Sequence, residues 1–222
     1  HAYGLIMKAL YKKAVTKQGS RIDVSMFQST VSWLTVPINQ TKSYSNKTTR
    51  RGNTHEFFAP VSVYKTKDGY VYIAVGNDIQ WERMLKINGF ESLSKPEYSR
   101  NTGRINDVEN LNIAIEEVTK EYTTDDIIAL FTAATIPISK VNTIEEVLED
   151  PYVKDEILFS VDEKTGMTIY LAPLPYTTSY VKSLNKRLAF PPRFGEQNEE
   201  IYVNRLGYGK EKLNEWKTKG II

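Results

Sequence analysis

Two periods of hydrophobic and polar residues run through the chain. Over 70–75, Val71, Ile73 and Val75 fall on one face and Tyr70, Tyr72 and Ala74 on the other. This is the period-two pattern of a strand apolar enough on both faces to be covered. Residues 61–65 (VSVYK) read as its hairpin partner, and the Asp68-Gly69 step between them offers the positive backbone angles of a tight turn. Gly76 and Asn77 leave the strand, and Asn77 with Gln80 opens a helix that carries Trp81, Met84 and Leu85 and closes at Asn88-Gly89.

Elsewhere the period is helical. Tyr3, Ile6, Met7, Leu10 and Ala14 share one face, with Lys8, Lys12 and Lys13 opposite. Val108, Leu111, Ile115 and Val118 repeat the spacing, and so do Ile127, Phe131 and Ala134 behind a cap at Thr123 or Thr124. Ser25 with Gln28 starts a helix bearing Phe27, Val31, Trp33 and Leu34 that runs to Pro37; Thr143 with Glu146 starts another, stopped at Asp150-Pro151. Residues 21–24 and 136–141 read as short strands, and 157–161 with 167–171 as a second hairpin around Gly166. Residues 37–59 and 173–192 read as long connections, and Ile201, Val203 and Leu206 mark a helix near the C-terminus. The expected class is α/β.

Composition narrows the function classes. The 222 residues are 41% hydrophobic and 25% charged, enough for a packed core. A net charge of +2 argues against a nucleic-acid-coating protein, although residues 42–51 (KSYSNKTTRR) form a local basic segment, read either as a solvated loop or as an attractor of a phosphate-bearing ligand. With no cysteine and two histidines there is no disulfide framework, no thiolate nucleophile and no metal motif. No apolar run suits a bilayer span and no secretion pattern opens the chain, so no membrane partner and a cytoplasmic location are expected. The first residue is His1, inside a predicted helix, which suggests a truncated or cleaved product.

Pro60, YKTKDGY (64–70) and IAVGNDIQW (73–81) together resemble the small-domain signature of the family III CoA-transferases, a group that includes formyl-CoA and carnitine CoA-transferases and the α-methylacyl-CoA racemases. TKQGSRIDVSM (16–26) resembles the family's segment after its nucleophile, although the family usually has Gly at the position of Lys17 and Gln at that of Ser20. Asn101, Arg104 and EVLEDP (146–151) continue the match in order. The resemblance implies a small α/β domain, 59–150, inserted between segments of a large Rossmann-like domain: 1–58 with its linker, and 151–222 with the return linker. It also implies an interlocked homodimer, or association with the N-terminal part of the same protein.

The activity implied is exchange of coenzyme A between an acyl-CoA and a carboxylic acid acceptor through aspartyl anhydride and thioester intermediates. Coenzyme A then enters as a thioester substrate, with no separate cofactor and no metal. The family's nucleophilic aspartate falls a few residues before the position of His1, so no catalytic residue is assigned here, and Asp23, Asp68 and Asp78 are not candidates. Gly52, Asn53, His55 and Glu56 occupy the position of the family's active-site loop. That loop is glycine-rich in the formyl-CoA branch but carries a single glycine here. His55 and Glu56 are candidates to touch the acyl group or its acceptor, or are plain loop residues; Arg104 is a candidate carboxylate ligand, or holds local structure. The implied alternatives are racemase-type proton transfer and an inactive acyl-CoA-binding fragment. Val75–Trp81 and the Asn53-Thr-His loop favour the transferase branch.

Overall fold

In the computed structural model, which describes residues 1–222, the predicted hairpin is the seed of the first of two units, His1–Lys140 and Val141–Ile222. Strands β1 (Val61–Lys65) and β2 (Tyr70–Ala74) pair antiparallel, from Val61 opposite Ala74 to Lys65 opposite Tyr70. A third strand, β3 (Ile138–Lys140), adds antiparallel to the other edge of β2. Tyr64, Val71 and Ile73 point into the core with Ile136. Trp81 and Met84 come from α4 (Asp78–Met84), Leu111 and Ile115 from α6 (Val108–Thr119), Ile127 and Phe131 from α7 (Thr124–Ala133). Each such side chain removed from water is worth about 1.5–3 kcal/mol.

The pattern misleads in two places here. Tyr70 and Tyr72 remain 49% and 39% exposed, so only one sheet face is covered within the unit. The turn is not the tight two-residue form either: neither Asp68 nor Gly69 has positive φ, and the connection is the four residues 66–69, closed by Thr66 N–H to Gly69 C=O at 3.0 Å. The physical reason is a competing use of Asp68. Its Oδ1 accepts both the N–H and the hydroxyl of Thr124 at 2.8 Å, tying the turn to the start of α7.

The segment before the hairpin is helical: α1 (Ala2–Thr16), α2 (Met26–Val31) and α3 (Thr35–Ser43), none of which buries a residue. Pro37 does not end a helix; it sits in the first turn of α3, where its missing N–H has no partner to lose. Residues 21–24 form no strand, because no other strand pairs with them. The N–H groups of a lone extended segment gain nothing over water.

In the second unit the Thr143–Glu146 capping box opens α8 (Ile144–Glu149). Strand β4 (Leu158–Val161) pairs antiparallel with β5 (Thr168–Leu171) and parallel with β6 (Arg187–Leu188). The stretch read as irregular contains α9 (Ser179–Ser183) behind a Thr178 cap. The predicted C-terminal helix is a π-helical stretch, Glu199–Arg205, followed by α10 (Lys210–Thr218), whose Trp216 meets Tyr202 and Tyr208 edge-on.

Candidate functional site

The loop 50–58 is tied down at its C-terminal end and open at its tip. His55 N–H donates to Val61 C=O at 3.2 Å, and Val75 N–H donates to Pro60 C=O at 2.9 Å, which fixes the loop's exit to the hairpin. At the tip, Gly52 has φ +60 with open space where a side chain would be, and Thr54 closes a turn by donating its hydroxyl to Arg51 C=O at 2.7 Å. Asn53 and His55 are exposed and Glu56 is partly so. His55 and Glu56 therefore share one turn with Phe57, while Gly52 and Asn53 form the outer bend.

Beneath the loop lies a network that sequence reasoning did not find. Asn101, first residue of α5 (Asn101–Asn106), donates Nδ2–H to Phe57 C=O at 2.8 Å and accepts Ala59 N–H on Oδ1 at 3.1 Å. Its own N–H donates to Asp78 Oδ1 at 3.0 Å. Arg104 donates from Nε to Ala59 C=O at 2.7 Å, from Nη1 to Tyr98 C=O at 2.8 Å and from Nη2 to Asp78 Oδ1 at 2.8 Å. The guanidinium also lies 5.2 Å from the Trp81 ring centre. The Arg104 guanidinium, then Arg100 and the Asn101 N–H, hold the Asp78 carboxyl below its usual range.

This places Arg104 differently from the ligand candidacy. It is 0% exposed, with donors on all three of its nitrogens taken by the fold, so it supports the loop from below and offers no face to a carboxylate. Asn101 and Arg104 stand three apart, one helical turn, with Gly103 between them; that spacing was the available signal. Gly103 lets α5 approach the turn at 96–99 so closely that a Cβ would lie 1.7 Å from Glu97 O.

Three further aspartates are also occupied. Asp68 is held low by Thr124 and Thr66, Asp107 by the Tyr98 hydroxyl and Asn110, and Asp23 pairs with Arg21 at 3.0 Å. In the second unit a cavity of about 320 Å³ contains Asp162, Glu163, Arg187 and Arg193, but each arginine faces a carboxylate within it, leaving no net charge to attract a ligand.

The fold is that of an α/β chain, with helices and two three-stranded sheets. A solved CaiB/BaiF family protein from Brucella suis superposes with a TM-score of 0.68 at 25% identity, covering 90% of this chain and 52% of that one. Residues 1–198 match CoA-transferase family III, and the chain belongs to that family. It is 26% identical to the human succinyl-CoA:glutarate CoA-transferase across all of its own length and 51% of that protein's. It is 25% identical to the formyl-CoA:oxalate CoA-transferase of Streptomyces coelicolor, again over the whole chain and over 58% of the relative. The chain thus spans about half the length of the curated relatives it matches.

Proposed function

We propose that the chain is the C-terminal part of an acyl-CoA:carboxylate CoA-transferase. The observation that carries this reading is the family match over residues 1–198, with relatives that are themselves named CoA-transferases. In the proposed cycle an aspartate outside this chain attacks the acyl-CoA thioester, forming a mixed anhydride and releasing CoA thiolate. The thiolate then attacks the aspartyl carbonyl, freeing the first carboxylate and leaving an enzyme thioester. The acceptor carboxylate repeats the two steps in reverse order and leaves as the new acyl-CoA. A carboxylate suits this role because its anhydride is activated enough for thiolate to reopen it.

The state of two aspartates supports a nucleophile elsewhere: Asp78 accepts from Arg100 on Oδ2 and from Asn101 and Arg104 on Oδ1, and Asp68 accepts from Thr66 and Thr124 on Oδ1. The loop 52–56 is proposed to face the acyl group, with coenzyme A as substrate and a homodimer, interlocked as the family's are, as the assembly. The small domain is proposed to be 59–150, between 1–58 and 151–222 of the large one.

The test is a panel of acyl-CoA and carboxylate pairs, beginning with succinyl-CoA plus glutarate and formyl-CoA plus oxalate, read by mass for CoA exchange in the intact protein. Exchange with at least one pair is expected. Inversion at an α-carbon without exchange would point to the racemase branch instead.

A further inference from the structure

The imidazole of His55 is held from three directions. Its Nδ1 accepts the backbone N–H of Phe57 at 3.0 Å. Its ring stands edge-on to that of Phe57 at 5.8 Å and lies tilted against that of Phe58 at 5.2 Å. A ring nitrogen that accepts a hydrogen bond carries no proton, so in the neutral ring the proton resides on Nε2. Phe57 is itself fixed one step away, because Asn101 donates to its carbonyl and accepts the N–H of Ala59, gripping the chain on either side of Phe58. Asp78 Oδ1 in turn accepts the Asn101 N–H.

We propose that Asn101 is a positioning residue that, through Phe57, locks His55 in its Nε2–H tautomer, and that His55 serves as a neutral hydrogen-bond donor to a substrate carboxyl oxygen and not as a base. A base needs an unprotonated nitrogen facing the reactants, and the only one His55 has is taken by the backbone. The four acyl and thiolate steps need no proton removed from substrate, so a fixed donor is the useful form. It steadies the oxyanion of the tetrahedral intermediates formed at the substrate acyl carbon, in the first and last of these steps, without moving a proton. The role in turnover rests on the CoA-transferase reading; the tautomer does not.

The test is ¹⁵N NMR of the histidine ring nitrogens in the intact protein, at a pH where the ring is neutral. The chain has two histidines, so the His55→Gln difference spectrum assigns the signal. Nδ1 is expected at the frequency of an unprotonated acceptor and Nε2 at that of a protonated nitrogen. Asn101→Asp keeps the acceptor for Ala59 and removes the donor to Phe57. In that variant the two frequencies should move toward each other, and kcat for CoA exchange should fall about ten- to a hundredfold while KM for acyl-CoA stays within about twofold.

A proton on Nδ1 in the native protein overturns the proposal, as do unchanged ring shifts in a folded Asn101→Asp variant. Should that variant not fold, Phe57→Pro deletes the amide donor directly, and the same shift is required of it. If the native protein exchanges no CoA with any pair, the functional reading and the role in turnover fall together, while the tautomer stands or falls on the spectrum.

Discussion

Arg104 shows what a buried cation must have around it to be tolerated. Removing a guanidinium from water is costly, and the cost is offset only when geometry and hydrogen bonds are both good. Here Asp78, two backbone carbonyls and the Trp81 face supply them. Arg104→Ala leaves those carbonyls and the carboxylate without their donors, and should lower unfolding free energy in urea by about 3–5 kcal/mol. Arg104→Lys should not restore it, because one ammonium cannot reproduce a planar fork reaching three acceptors. At the neighbouring position, Gly103→Ala should prevent α5 from docking, since the added carbon would collide with Glu97 O; loss of the native near-ultraviolet spectrum would report it. From sequence Arg104 was readable as a carboxylate ligand, although an arginine at such a helix entry more often holds local structure. Burial separates the two, and burial depends on contacts with Ala59 and Asp78, which are far away in the chain. His55 and Glu56 were legible as a polar loop, but the tautomer-setting bond and Asn101's hold on Phe57 have no one-dimensional signature.

At the scale of elements, the two periods placed the hairpin, α1, α4, α6 and α7, and a local capping box placed α8; α1 leaves its apolar stripe exposed, while the others bury a face or cap an end through residues close in sequence. What was not legible depends on distant partners. The Asp68-Gly69 pair looks like a two-residue turn until Thr124 claims the carboxylate. Asp68→Ala should therefore leave the hairpin intact but expose the Thr124 N–H, so that its hydrogen exchange speeds up while that of core amides such as Ile73 holds. The end of α1 gives a second expectation. Lys17 closes it at φ 61, a left-handed conformation that disfavours a side chain. Lys17→Gly should stabilise the helix end by about 1 kcal/mol, measured as a higher urea midpoint. No gain would mean that the unfolded chain's extra freedom with glycine cancels the relief.

For the molecule as a whole, several carboxylates titrate below their ordinary value in the folded state, which fixes the sign of its acid response. Asp68, Asp78, Asp107 and Asp162 are all held below the unfolded value of 3.8. The unfolded chain then binds more protons, so their contribution is complete above that value and lost as pH falls through the folded ones. At the alkaline end the Asp107 carboxylate and burial push the Tyr98 hydroxyl up to about 12 from 10.0, so its contribution is present below 10.0 and lost as pH rises toward about 12. Urea midpoints measured across pH should be flat in between and fall at both ends. A midpoint that rose on acidification below 3.8 would contradict this assignment.

The proposed cycle requires a carboxylate that becomes acylated and assigns it to a position outside residues 1–222. The intact protein, treated with acyl-CoA and then hydroxylamine and analysed by peptide mass, should carry a hydroxamate on an aspartate in its N-terminal half, with none in His1–Ile222. A hydroxamate on any carboxylate of these residues, or none anywhere in a protein that does exchange CoA, would contradict it.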